Sequence, residues 1–442
     1  MTSEPTIKER VVLVGLARSR SEIEAAEESL DELAQLADTA GAEAVGRVVQ
    51  VRDNPDPATY LGKGKAREVV GQARMLKADA IIFDDELAPA QGRNLEDMAG
   101  VNPLAEHAMK IIDRTGLILD VFSQHAQSSE GKLQVELAQI SYMVPRLRGW
   151  GDVMSRIGGS AGPGIGTRGP GETKLEVDRR RIQRRLVKLK KDLQDLERTR
   201  KLKRKGRIRA GVAQVSLVGY TNAGKSSLLN ALTGAGVLVE DKLFSTLDPT
   251  ARRLEIPDGR EVVLIDTVGF VRKLPHQLVE SFRSTLEETL VADLIIHVVD
   301  ATRREPSEQI AAVESVLGEI KAELIPRLLV LNKSDAIDSE HRERLAREFP
   351  DARFVSALTG AGTDELLAAV SERLRASRVF VSLRIPFDRG DLVSALHDQA
   401  EIIDESHGES GTRLVARVPA EVLPRYLKYV VVEDPDASKS AD

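Results

Sequence analysis

The 442-residue chain contains no cysteine. Disulfides and thiolate-ligated metals are therefore excluded from any account of how it folds or works. Aromatic residues are scarce at 3%, with a single tryptophan, Trp150. No apolar run approaches the roughly 20 residues that a helix needs to cross a bilayer. The opening MTSEPTIKERVVLVGLARSR lacks the basic start and long apolar core of a secretory leader. The seven histidines show no metal-ligand spacing, and neither an HExxH nor a Ser/His/Asp arrangement occurs. His297, inside an apolar strand, reads as a core residue. What remains, 42% hydrophobic residues and a net charge of −6, predicts a multidomain cytoplasmic protein with no membrane span.

The charge is unevenly distributed. Residues 146–209 hold 21 Lys and Arg against 7 Asp and Glu, a local net of +14 that leaves −20 for the rest. A basic segment on an acidic body points to a polyanionic partner, most often nucleic acid, although a solvated helix face also needs such residues.

From 11 to 112 the short runs VVLVGL, AVGRVVQV, AIIF and MKIID alternate with helical stretches at 21–40 and 65–77. That alternation implies βαβ units and a small parallel sheet. Within it LGKGKAREV (61–69) resembles a strand–turn–helix phosphate site, but two glycines serve a plain turn equally well, and the turn is the preferred reading. Further on, Leu133, Leu137, Ile140, Val144 and Leu147 recur at spacings of four and three. The rhythm returns at Leu175, Ile182, Leu186, Leu189, Leu193 and Leu196. Two narrow seams of this kind predict an antiparallel coiled-coil hairpin.

Its tip holds GGSAGPGIGTRGPG (158–171), in which seven of fourteen residues are glycine. Pro163 and Pro170 break any helix there. Arg146, Arg148, Arg156, Arg168, Arg179, Arg180 and Arg181 surround the tip and are the candidate RNA contacts. Trp150 reads as a packing anchor, since base stacking would call for more aromatics. The tip is expected to be disordered until it meets RNA.

The chemistry lies further along. Gly219-Tyr220-Thr221-Asn222-Ala223-Gly224-Lys225-Ser226 matches G-x-x-x-x-G-K-[ST], between a predicted strand and the helix KSSLLNALT. Backbone N–H groups there can curl around a diphosphate at the positive end of a helix. Lys225 would reach the β- and γ-oxygens and Ser226 would ligate Mg²⁺, with Ser227 following. Asp266-Thr267-Val268-Gly269 comes next: the aspartate would hold Mg²⁺ through water and the Gly269 N–H would sense the γ-phosphate. In Asn332-Lys333-Ser334-Asp335 the carboxylate can accept two hydrogen bonds from guanine. Ser356-Ala357, with Leu358 after it, can offer a backbone amide to the guanine carbonyl. This order specifies a GTPase, with GTP and Mg²⁺ as its ligands.

The first switch lies between 234 and 251, in LVEDKLFSTLDPTAR, where Thr246 and Thr250 both qualify as the threonine that follows the γ-phosphate. Phe270 stands where many GTPases carry a water-orienting glutamine, so intrinsic hydrolysis should be slow without a partner. Arg252, Arg253 and Arg272 read as surface pairs rather than as an arginine finger.

The expected fold class is α/β multidomain. Residues 1–115 form a small parallel α/β domain, and 116–211 the helical hairpin with its glycine-rich basic tip at 149–172. Residues 212–376 form a doubly wound P-loop GTPase domain. Residues 377–442 form a small α+β domain, with strands in FVSLRI, RLVARVP and YLKYVVV, a helix near 392–400 and a disordered tail.

Several stretches together resemble the HflX family of translation-associated GTPases: DRTGLILDVFSQHA (113–126), EGKLQVELAQISYMVPRL (130–147), GPGETKLEVDRRRI (169–182), VGYTNAGKSSLLNALT (218–233), LFSTLDPTARR (243–253) and DTVGFVRKLPHQLVESFRSTLEE (266–288). The resemblance assigns the switch threonine to Thr246, within Phe244-Ser245-Thr246-Leu247-Asp248. With Lys225 and Gly269 from the motifs, Thr246 completes the expected catalytic set, and the resemblance makes a hydrophobic Phe270 typical. It implies a monomer that hydrolyses GTP on the large ribosomal subunit and its rRNA and separates ribosomes into subunits. The hairpin loop would reach towards the peptidyl-transferase region. Some members are associated with ATP at the N-terminal domain, for which LGKGK is the one candidate here. The readings kept beside this are an assembly or hibernation factor without splitting activity, and a regulatory GTPase acting on a protein partner.

Overall fold

The computed structural model describes residues 8–100, 109–147, 180–196, 198, 212–234, 243–244, 249–273, 289–376, 378–408, 410–419 and 422–431. Outside them lie Trp150, Arg148, Arg156, Arg168, Arg179, Leu175, the glycine-rich run, Ser245 to Asp248, the basic stretch 199–211 and the tail. The chain divides into two compact units. One comprises residues 1–195, 240–248 and 268–284, and the other 196–239, 249–267 and 285–442.

In the first unit β1 (Glu9–Ala17), β2 (Ala42–Val51), β3 (Ala80–Phe83) and β4 (Lys110–Asp113) form a parallel sheet in the order β2-β1-β3-β4. Val11 to Val14 are all buried, because helices cover both faces of a parallel sheet. Helices α2 (Lys63–Met75) and α3 (Pro89–Ala99) share a core with Val12, Val14, Ile81 and Phe83. Helix α1 (Ile23–Thr39) and α4 (Arg114–His125) pack against each other, and both touch the sheet. The LGKGK stretch is the start of α2: Gly62 caps it, and the Gly62 N–H donates to Gln50 Oε1 at 3.1 Å.

Helix α5 (Ser129–Leu147) is the first arm of the predicted hairpin, and residues 180–196 are helical as the second. Arg185 holds both carboxylate oxygens of Glu136, at 2.6 and 2.5 Å, tying the arms together. Leu133, Leu137, Ile140 and Val144 are half-buried, as are Ile182, Leu186 and Leu193, while Leu189 is fully buried. The most buried residues of α5 are nevertheless Gln134, Val135 and Ala138. Helix α5 also packs on α4 and α3, so it carries a second contact face beside the narrow seam. Asp113 fastens it there. One carboxylate oxygen accepts from the Gly116 N–H and the Tyr142 hydroxyl. The other accepts from the Leu87 N–H and Arg146, all at 2.7–3.0 Å.

The second unit contains a six-stranded sheet in the order β10-β9-β8-β5-β7-β6. Its strands are β5 (Ala213–Gly219), β6 (Thr250–Glu255), β7 (Glu261–Asp266), β8 (Leu294–Asp300), β9 (Arg327–Asn332) and β10 (Arg353–Phe354). All pair parallel except β6, which forms a hairpin with β7 around Asp258-Gly259, as expected. Helices α6 (Lys225–Thr233), α7 (Pro306–Glu319), α8 (Ser339–Glu348) and α9 (Thr363–Ala376) complete the doubly wound layer. Alternation along the strands separates two cores. Val298 and Val330 pack with α6 and α9, while Val299 and Leu331 pack with Leu345 of α8.

The same unit carries a three-stranded antiparallel sheet, β11 (Arg378–Ile385), β12 (Glu401–Gly408) and β13 (Gly411–Pro419) in the order β11-β13-β12, with α10 (Gly390–Gln399) on its core. YLKYVVV is not a strand as expected: Leu427–Tyr429 is a 3₁₀ turn, preceded by another at Leu423–Arg425. Leu423, Tyr426 and Tyr429 recur every third residue, which is the 3₁₀ period, and Tyr426 is buried. Strand β12 is additional to the expected elements. Its run EIIDESHG is largely exposed and polar, so it carries little alternation to read.

Candidate functional site

Strand β5 is buried throughout and ends at Gly219, from which the chain turns through residues 220–224 into α6. Two glycines there are required by space. A Cβ on Gly219 would lie 2.1 Å from the Val298 carbonyl oxygen, and one on Gly224 (φ 87°) would lie 2.3 Å from Asn332 Nδ2. Lys225 opens α6 almost fully buried, and its ammonium donates to the Tyr220 and Gly219 carbonyls at 2.9 and 3.2 Å. Burial pulls its pKa down to about 8, against the opposing pull of the Asp266 carboxylate. Ser226 Oγ donates to Asp266 Oδ2 at 2.6 Å, and Asp266 is fully buried at the end of β7. Thr267 is tied to β5 through the Leu217 carbonyl at 2.7 Å.

Asn332 lies at the end of β9 and joins two loops. Its Nδ2 donates to the Ala223 carbonyl at 2.9 Å, and its Oδ1 accepts from the Ala357 N–H at 3.0 Å. Lys333 adopts a left-handed backbone (φ 61°) and reaches Asp300 at 2.7 Å. Asp335 Oδ1 accepts from Ser356 Oγ at 2.5 Å, and the Ser334 N–H donates to the Val355 carbonyl. Leu358 is 85% exposed. The Lys225 loop, Asp266, Asn332, Asp335 and Ser356 are thus brought together by the carboxyl ends of β5, β7 and β9, where open α/β sheets bind ligands. His297 is buried in β8, and burial together with the nearby Arg327 and Lys225 charges depresses its pKa to about 4, which keeps it neutral in the core.

This arrangement is that of a P-loop nucleotide site, and the comparisons agree. Three family models match: "GTP-binding GTPase N-terminal" over residues 27–123, "GTP-binding GTPase Middle Region" over 125–207, and "50S ribosome-binding GTPase" over 214–333. A "GTPase HflX" of Caldanaerobacter subterraneus subsp. tengcongensis is 46% identical over 427 residues, 96% of this chain and 94% of that one. The Escherichia coli K12 "GTPase HflX" is 45% identical over 396 residues, covering 89% of this chain and 90% of its own. This chain belongs to the HflX family. It is a GTPase, and GTP is its nucleotide.

Other expected site residues of this HflX-family member lie in the first unit, in β6 of the second, or outside the described residues. Thr246 and its neighbours Ser245, Leu247 and Asp248 are outside, while Thr250 lies in β6 opposite Asp266. Phe244 is buried edge-to-face on Phe122 of α4, with ring centroids 4.6 Å apart. Val268, Phe270 and Val271 are buried, so Phe270 is an apolar anchor. Arg272 pairs with Glu28 at 3.6 Å. Arg146 is held by Asp113 and the Leu87 carbonyl and stacks 3.6 Å over Tyr142, which leaves its guanidinium engaged within the fold. Arg180 and Arg181 are exposed.

Two groups of residues went unread in the sequence. One is Asn332 as a tether of the phosphate loop. The other is the charged cluster of Asp84, Arg114 and Lys273, whose only local signal is that AIIF and KIID both run into acids.

Proposed function

We propose that this GTPase binds the large ribosomal subunit through its basic helical hairpin and couples GTP hydrolysis to separation of the ribosomal subunits. The observation that carries this reading is the joining of a whole-length HflX relationship to a segment of net +14 at residues 146–209. Since Arg146 is engaged by Asp113, the RNA contacts are assigned to Arg180 and Arg181 and to Arg148, Arg156, Arg168 and Arg179 around the tip.

At the nucleotide site, residues 219–227 wrap the phosphates, and Lys225 neutralises the β- and γ-oxygens by exchanging its two carbonyl contacts for them. Asp335 selects guanine, Ser356 orients that carboxylate, and Ala357 and Leu358 line the base side. Gly269 reads the γ-phosphate through its N–H, and Thr246 follows it from the first switch. Ser226 and Asp266 offer two buried oxygens 2.6 Å apart, a hard donor set that suits Mg²⁺, with Thr246 as a further ligand. Bound there, Mg²⁺ would neutralise charge on the β- and γ-phosphates.

Sedimentation of 70S ribosomes with the protein and GTP, or a non-hydrolysable analogue, tests the reading. Splitting activity raises the share of free subunits. Stable occupancy of free large subunits with an unchanged subunit ratio supports an assembly or hibernation factor instead. Hydrolysis stimulated by a protein without ribosomes supports the regulatory alternative.

A further inference from the structure

Strand β8 ends in Asp300, whose side chain is 5% exposed and whose two carboxylate oxygens serve different neighbours. One accepts from the Thr302 N–H at 2.9 Å and the Thr302 hydroxyl at 2.7 Å, which closes the turn leaving the strand. The other receives the Lys333 ammonium at 2.7 Å, from 33 residues away. Arg303 stands off at 4.0 Å, so Lys333 supplies the close cation that a buried carboxylate requires. Asp300 also faces Asn332 across the β8–β9 ladder, and the Ala301 N–H donates to the Asn332 carbonyl at 2.9 Å. The end of β8 thus grips the chain at both Asn332 and Lys333.

Lys333 needs that grip. Its backbone is left-handed (φ 61°), a conformation that costs an L-residue and persists only where the surroundings fix it. Lys333 also caps the 3₁₀ turn Ser334–Ala336, and the Ala336 N–H donates back to the Lys333 carbonyl at 3.0 Å. Asp335 sits in the middle of that turn, and Ser356 Oγ meets its carboxylate from the next loop at 2.5 Å. A change of backbone conformation at Lys333 would re-aim the whole turn, and the Asp335 carboxylate with it.

We infer that Asp300 is a positioning residue for guanine recognition, acting through Lys333 to keep the Asp335 carboxylate in the plane of the base. The inference rests on the reading of Asp335 as the guanine acceptor. Guanine offers that carboxylate two donors, N1–H and the exocyclic amine, and paired acceptance demands a fixed carboxylate plane. Hypoxanthine offers N1–H alone, and a single bond tolerates a tilted carboxylate. Loosening Lys333 therefore costs guanine nucleotides more than hypoxanthine nucleotides.

The test measures affinities for GDP and inosine diphosphate (IDP) by competition against a fluorescent guanine nucleotide, in full-length protein. Asp300→Asn keeps an oxygen for Thr302 and removes the charge that holds Lys333. It is expected to lower the preference for GDP over IDP about 3- to 10-fold, part of the worth of one hydrogen bond to a charged group. Lys333→Met should match it, and the double variant should lose no more than either single one. Lys333→Gly separates backbone from ion pair, because glycine holds a positive φ unaided. Its preference should stay within about twofold of wild type, and adding Asp300→Asn to it should change nothing further. Equal losses for GDP and IDP, an unchanged preference in Asp300→Asn, additive losses in the double variant, or a preference lost in Lys333→Gly would each overturn the inference. Its failure is distinguishable from failure of the guanine-site reading, because only the latter leaves Asp335→Asn with its GTP preference intact.

Discussion

At the scale of single residues, the nucleotide loop works by placing a lysine where water cannot reach it. Buried Lys225 titrates near 8 rather than in the usual lysine range, so its ammonium is lost earlier than in an exposed side chain. Nucleotide affinity is therefore expected to fall as pH rises through about 8, and titrations of GDP between pH 6.5 and 9 will follow it. The folded pKa lies below the unfolded one, so between about 8 and 10.5 the unfolded chain binds more protons and the free protein gains stability as pH rises. The proposed guanine specificity rests on another single group, Asp335. Asp335→Asn should shift preference from GTP towards xanthosine triphosphate, as competition binding will record. Retained GTP preference would refute the guanine assignment. Gly224→Ala meets the Asn332 amide and Gly219→Ala meets a backbone carbonyl that cannot swing away. Each should destabilise by more than about 2 kcal/mol, visible as a lowered urea midpoint.

At the scale of elements, the hairpin between β6 and β7 is fastened to α9 by one carboxylate. Asp258 accepts from Arg260 at 2.6 Å, Ser371 at 2.5 Å and Arg375 at 3.1 Å. Arg260 above all, with Ser371, holds its pKa well below the usual carboxylate range, despite the opposing effect of burial. A depressed folded pKa contributes stability that is fully present above the unfolded value of 3.8 and is lost as pH falls below it. Asp258→Asn should therefore cost roughly 1–3 kcal/mol at neutral pH, with the difference from wild type narrowing in acid unfolding curves. The Asp-Gly turn was legible because two adjacent residues define it. Its anchor was not, since Ser371 lies 113 residues away. Helix α5 gives the same lesson: its 4-3 rhythm is readable, yet Gln134, a polar residue outside that rhythm, is among its most buried.

At the scale of the whole molecule, charge separation sets the expected behaviour towards RNA. If the hairpin neutralises rRNA phosphates, affinity for the large subunit must fall steeply with salt as counterions are released. Deleting 158–171 should weaken binding and abolish subunit separation while GTP affinity stays unchanged. A salt series of co-sedimentation with both proteins checks this, and equal binding by the deletion variant would remove the hairpin from the mechanism.

The sequence by itself determined the α/β class, the strands of the four- and six-stranded sheets and the glycine-framed phosphate loop. Each is written in contiguous residues whose spacing answers to a local rule: period two, period 3.6, or a backbone turn that only glycine fits. Tertiary structure alone decided which side chains hold those pieces in place. Asn332 clasps Ala223 across 109 residues, Asp113 recruits Arg146, and Asp84 receives Lys273. These partners are ordinary Asn, Asp, Arg and Lys, whose meaning comes from burial. Out of water an unpaired charge or amide is too costly to leave, and the fold chooses the distant group that satisfies it.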